Sequence, residues 1–277
     1  MTVYPVAKIN LGLNVVERRA DGYHNLQTVF YPIPIKDSLE VQTASDGAAT
    51  DHDCTLEVSN IRIDGDTQSN LVVRAYNLLK KDFPEMPRLH ARLQKNIPTQ
   101  AGMGGGSSDC AYMIRLLNDS CNLKMDETTM ERYAASLGAD CAFFIKGRPC
   151  YAEGIGDKMT PLQLDLGGWH IGVVKPDIPV PTKEAFAMIT PHYPEKSPRD
   201  IVMQPVSTWA AELKNDFEDS VFPLHPEIRA VKEQLYQIGA TYAAMSGSGS
   251  AVFGLFTEQP AMLEKNFPGM FTFASKL

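Results

Sequence analysis

Residues 95–118, KNIPTQAGMGGGSSDCAYMIRLLN, join a segment with strand alternation to one with helical spacing through four glycines in five positions. Gly102, Gly104, Gly105 and Gly106 carry no Cβ and tolerate positive φ, so the backbone can fold tightly there and approach a ligand closely. Ser107 and Ser108 stand where a helix N-cap is expected, Asp109 falls in the acidic-favoured first turn, and Ala111, Ile114 and Leu117 recur at helical spacing. The unpaired N–H groups of such a helix, with the positive end of its dipole, would face whatever the loop encloses, which favours a phosphate. A Walker A loop needs lysine where Gly106 stands, and a GxGxxG fingerprint needs glycine where Ser107 stands. No GxSxG nucleophile elbow occurs here either. The competing reading is a turn that only reverses the chain; the two hydroxyls and the helix that follow favour an anion cradle.

The 277 residues suffice for one large or two ordinary domains, and a change of pattern past Pro161 places a boundary near 160. The expected domains are therefore 1–160 and 161–277. No apolar run reaches the roughly 18 residues of a membrane span, and MTVYPVAKIN has no signal-peptide pattern, so a cytoplasmic protein is expected. Five cysteines without CxxC spacing argue against a disulfide framework or a zinc site. Net charge is 26 − 33 = −7, which opposes nonspecific nucleic-acid binding. Attraction for a phosphate must then be local, from backbone N–H groups, a few lysines and a bound cation. No protein partner is evident.

From Lys8 to Val15 the residues alternate, with Ile9, Leu11, Leu13 and Val15 on one face and Lys8, Asn10, Gly12 and Asn14 on the other, as in a strand with one buried face. From spacing alone Lys8 is a solvated surface lysine. RRADGYHNLQT turns around Asp21–Gly22 into a returning strand. Tyr23 and His24 pair an aromatic ring with a donor–acceptor imidazole, which suits a planar base, although Tyr and His in a loop are more often simply exposed. Asn70 or Ser69 would cap a helix with Leu71, Ala75, Leu78 and Leu79 buried, and Asp126 a helix ended by Gly138. Asp140 then opens Cys-Ala-Phe-Phe-Ile, a buried strand or core segment, either as a turn aspartate or as a carboxylate needing a cationic partner. Residues 188–208, rich in proline and charge, read as a loop, and Pro226 opens a further helix. Ser246 to Ser250 is most simply a hairpin turn. Strands and helices alternate throughout, giving an α/β or α+β layering.

Taken together, AKINLGLNV, RADGYHNLQT, GMGGGSSD, SLGADCAFF, AEGIGD, TKEAF, NDFE and MSGSGSAVF resemble segments of the GHMP kinases, the superfamily of galactokinase, homoserine kinase and mevalonate kinase. RADGYH beside GGGSSD is similar to the branch that acts on a CDP-linked methylerythritol. The resemblance implies an α+β fold of two domains, the first like the second domain of ribosomal protein S5 and the second ferredoxin-like, with the site between. It implies ATP-dependent phosphorylation of the 2-hydroxyl of that alcohol, with Mg2+ accompanying ATP. Lys8 and Asp140 fall on its catalytic positions, and Asn10, Tyr23, His24, Thr182 and Phe186 on its substrate segments. Lys95, Pro98, Gly102, Gly104, Gly105, Gly106, Ser107, Ser108 and Ser248 fall on its ATP-binding segments. Metal ligands are not evident; the Ser107 or Ser108 hydroxyl is the candidate, and Asn70 and Leu71 are candidates for adenine. Two departures stand out. Gln100 replaces the usual glycine, and Cys141–Ala142 replace Val-Pro after the aspartate. A GHMP kinase for another small alcohol, or a non-catalytic S5-like binding module, are the alternatives.

Overall fold

The computed structural model describes residues 1–44, 52–63 and 65–277. The chain runs β1 (Thr2–Val3), β2 (Val6–Arg18), β3 (His24–Lys36), β4 (Ser38–Thr43), β5 (Cys54–Ser59), α1 (Leu71–Asp82), β6 (Leu89–Gln94), α2 (Gly105–Ser120), α3 (Glu127–Leu137) and α4 (Phe143–Lys146). It continues with β7 (Cys150–Gly154), β8 (Lys158–Pro161), β9 (His170–Lys175), α5 (Thr182–Ala185), α6 (Pro198–Val202), α7 (Val206–Glu212) and α8 (Phe217–Leu224). Last come α9 (Pro226–Gln237), β10 (Tyr242–Met245), β11 (Val252–Phe256), α10 (Leu263–Asn266) and β12 (Phe271–Lys276). The class is α+β.

Two compact units emerge. The first holds Met1–Ala7, Ile35–Thr99 and Gly104–Gly147, and the second Lys8–Pro34, Gln100–Met103 and Arg148–Leu277. Residues 1–160 thus contribute to both, and the chain passes from one unit to the other within β2, within β3 and within the glycine loop.

In the first unit the sheet order is β1-β4-β6-β5, with β5 and β6 parallel and the other pairs antiparallel. Helices α1 to α4 pack together. Asn70 caps α1 as expected, its Oδ1 accepting from Val72 N–H at 2.9 Å. The buried stripe is Val72, Val73, Ala75, Tyr76 and Leu79, rotated from the expected one, so that Leu71 and Leu78 are only half-buried. Asp126 caps α3, accepting from Thr129 N–H at 2.8 Å, and Gly138 ends it in an extended rather than left-handed conformation, φ 178°. The apolar run after Asp140 is buried but forms the short helix α4, not a strand. It is too short for periodicity to decide between the two.

In the second unit one sheet has the order β2-β3-β7-β8 and the other the order β10-β11-β9-β12, antiparallel at every pairing. Val174, Phe217, Val221, Ile228, Val231, Leu235 and Val252 form part of its core. Contrary to the one-faced strand expected, β2 is buried on both faces from Ala7 to Val16. The polar face is covered because Leu13 N–H donates to Lys214 O, Asn14 Nδ2 to an Asp216 carboxylate oxygen, and Asn10 N–H to Ser246 Oγ. The stretch expected to be a loop contains α6 and the start of α7. Ser197 Oγ caps Asp200 N–H, Pro198 is the first helical residue, and Trp209 is fully buried.

Glu218 illustrates how the late hairpin is held. Its carboxylate accepts Met245 N–H at 2.8 Å and pairs with Lys232 at 2.5 Å, while burial raises its pKa, Lys232 opposing the rise. Glu218→Ala leaves a buried N–H without an acceptor and is expected to lower unfolding free energy by about 2 kcal/mol in urea denaturation, whereas Glu218→Gln costs under ~1 kcal/mol.

Candidate active site

Lys8 emerges from β2 as a buried ammonium, 3% exposed. An ammonium withdrawn from water needs acceptors, and it has them. Its Nζ donates to Asn10 Oδ1 at 2.6 Å and to Gly102 O at 2.9 Å, and lies 4.9 Å from the centroid of the Phe30 ring. Asn10 is oriented in turn, because its Nδ2 donates to Thr28 Oγ1 at 3.0 Å and Thr28 Oγ1 donates to Gly12 O. The structure therefore places Asn10 as the residue that aims Lys8.

Gly102 O also accepts from Ser246 Oγ at 2.9 Å, which brings the SGSGS turn onto the glycine loop. Lys8 N–H donates to Met103 O at 3.0 Å and Ser250 N–H to Gln100 O at 3.3 Å. The approach is close enough that a Cβ on Gly102, φ +69°, would stand 1.8 Å from Ser246 O. Asn215 supports the same turn, its Nδ2 donating to Met245 O at 2.7 Å and Gly247 O at 2.8 Å. NDFE had entered only as a matching segment; no local pattern marks Asn215 as a brace for residues thirty positions later. Ser248 is half-buried near the tip of the turn.

The helix after the loop starts earlier than expected. Gly104, left-handed at φ 69°, is the N-cap of α2, with no side-chain cap, so Ser107 and Ser108 lie inside the first turns and Asp109 beyond the first turn. A side-chain cap is unnecessary where another acceptor, such as a bound anion, takes the first N–H groups of a helix. Pro98 and Ser108 are buried, Ser107 half-buried and Gly106 exposed. Lys95 is buried with Asp37 and Asp109 rather than placed on the outer face of the loop. Asn70 caps α1 and Leu71 opens it.

At the start of β3, the His24 and Phe186 rings stack at 4.6 Å and 15°, while Tyr23 is 62% exposed and Thr182 is exposed at the start of α5. Burial, with the Arg18 charge second, holds the His24 pKa below its usual value, so the ring is neutral near pH 7 and offers one donor and one acceptor. Asp140 is half-buried in the turn between α3 and α4. The departure beside it is absorbed locally: Ala142 has φ −61°, the angle a proline would impose.

Gln100 occupies φ +51°, a conformation that glycine adopts without strain. Gln100→Gly is therefore expected to raise unfolding free energy by up to ~1 kcal/mol, and Gly102→Ala to lower it by at least ~2 kcal/mol, both read from chemical denaturation.

Comparison with known proteins gives the family. The GHMP kinases N terminal domain model matches residues 70–148 and the GHMP kinases C terminal model residues 204–265. A 4-diphosphocytidyl-2-C-methyl-D-erythritol kinase of Bacteroides fragilis is 50% identical over 277 residues, covering 100% of both chains. One from Bacteroides thetaiotaomicron is 49% identical, again over 100% of both. A crystal structure of a 4-(cytidine 5'-diphospho)-2C-methyl-D-erythritol kinase superposes with TM-score 0.84 at 31% identity, over 99% of this chain and 98% of that one. Homoserine kinase from Cytophaga hutchinsonii, at 16% identity and TM-score 0.70 over 98% and 94%, shares the fold. The chain belongs to the GHMP kinase family, with the 4-diphosphocytidyl-2-C-methyl-D-erythritol kinases.

Proposed function

We propose that the protein transfers the γ-phosphoryl group of ATP to the 2-hydroxyl of 4-diphosphocytidyl-2-C-methyl-D-erythritol. The observation that carries the reading is the uncapped start of α2, following a loop whose Gly102 carbonyl is held by Lys8 and Ser246. The full-length kinship to kinases of that name supports it.

Phosphoryl transfer is chiefly positioning and charge stabilisation. The N–H groups of Gly105, Gly106 and Ser107 would hold phosphate oxygens, with Ser248 closing over them. Asp140 would align the acceptor hydroxyl and take its proton as the oxygen attacks. Lys8 would stabilise the negative charge that develops, its ammonium aimed by Asn10. Tyr23, with His24 and Phe186, would hold the cytosine, and Thr182 would add a hydroxyl. The two family models, at 70–148 and 204–265, support a division of labour at about residue 160.

Among the described residues no group of three or more His, Cys, Asp or Glu gathers to hold a metal. A magnesium carried by the nucleotide would need no such group, since Mg2+ keeps several waters and takes one or two protein ligands beside phosphate oxygens. The Ser107 or Ser108 hydroxyl would be its protein ligand. When bound, it would neutralise charge on the β- and γ-phosphates.

Incubation with ATP and a panel of alcohols tests the reading. ADP and a singly phosphorylated product are expected with the CDP-linked alcohol; ADP with homoserine or mevalonate instead would move the assignment to another GHMP kinase. Asp140→Asn is expected to lower kcat by at least ~100-fold with substrate KM little changed. Tyr23→Ala should raise the KM for the alcohol at least ~10-fold and leave that for ATP within about twofold.

A further inference from the structure

A buried ion cluster lies at the two ends of the glycine loop, and the transfer scheme above does not use it. Asp37, between β3 and β4, is fully buried. Its Oδ1 accepts the N–H groups of Asn96 at 2.5 Å and Ile97 at 2.8 Å, the two residues before Pro98. Its Oδ2 accepts from Lys95 Nζ, which also donates to Asp109 Oδ2 on α2 at 2.7 Å. The anchorage extends outward, since Asp37 N–H donates to Pro5 O at 2.9 Å and Asn60 Nδ2 to Lys95 O at 2.7 Å. One ammonium thus ties residues 95–97 to the second turn of α2, the two stretches that flank residues 98–104. It also lies against the first helical residue: a Cβ on Gly105 would come within 3.2 Å of Lys95 Nζ and 2.9 Å of Ile97 Cγ2. Asp109 Oδ1 is buried without a hydrogen-bond partner.

We propose that Asp37, Lys95 and Asp109 are positioning residues for the nucleotide: they clamp the two ends of the glycine loop. The proposal rests on the reading that those groups bind ATP phosphates.

The test compares wild type, Asp109→Asn, Asp109→Ala and Asp37→Ala. ATP dissociation constants are measured calorimetrically without the alcohol, and amide deuterium exchange is followed without nucleotide. Asp109→Asn, which keeps an acceptor for Lys95, should bind within about threefold of wild type. Asp109→Ala should weaken ATP binding at least ~10-fold, and Asp37→Ala should speed exchange at residues 96–97 by a similar factor. An Asp109→Ala protein that binds ATP as wild type does, or an Asp109→Asn protein as impaired as Asp109→Ala, overturns the proposal. So does faster exchange spread evenly over the first unit, which would make the cluster a general stabiliser. Normal ATP binding without turnover of the CDP-linked alcohol would sink the substrate assignment and leave the clamp standing.

Discussion

The carbonyl oxygen of Gly102 accepts hydrogen from a lysine ammonium and from a serine hydroxyl, and much of the second unit is arranged to make that double acceptance possible. A side chain at residue 102 would collide with the Ser246 carbonyl, so the two turns can meet only backbone to backbone. Lys8 must be dehydrated to take part, which costs several kcal/mol unless its N–H groups are matched. Asn10 and the Phe30 ring complete that match, and Thr28 and Gly12 hold Asn10 in register. Asn215 and Glu218, from the other end of the chain, keep the Ser246 turn in position to receive it.

How much of this was visible in the sequence depended on the range of the interaction. The α1 and α3 caps are local hydrogen bonds spanning two or three residues, and Asn70 and Asp126 announced them. The glycine loop was equally local, although the start of its helix was misplaced because Gly104 caps in a left-handed conformation that leaves no side-chain signature. The alternation in β2 was correct, but solvent was the wrong partner for its polar face, since residues more than two hundred positions later cover it. Residues 188–208 were read as a loop because proline was taken as a breaker where Ser197 and Pro198 start a helix.

For the candidate site, Lys8 and Asp140 enter only through the resemblance of their motifs, and local spacing carries no sign of the residues that hold Lys8 in place. Lys95 falls on an ATP-binding segment only through the resemblance; its two carboxylate partners lie 58 and 14 positions away and share no pattern with it. Asp109 looked like a first-turn acid and is instead a buried ion-pair partner. The Cys141–Ala142 departure, by contrast, changes little, because Ala142 adopts a proline-like φ without needing a ring.

The interleaving of the two units has a consequence for how the chain acquires its shape during synthesis. Strand β2 leaves the ribosome early, yet its partners in the second unit include Asn215 and Ser246, so it must wait for more than two hundred further residues before closing. The first unit needs nothing beyond Gly147 and can close sooner. Vectorial folding would then leave an apolar hairpin, with Ile9, Leu11, Val29 and Ile33, in need of shielding while the remainder is translated.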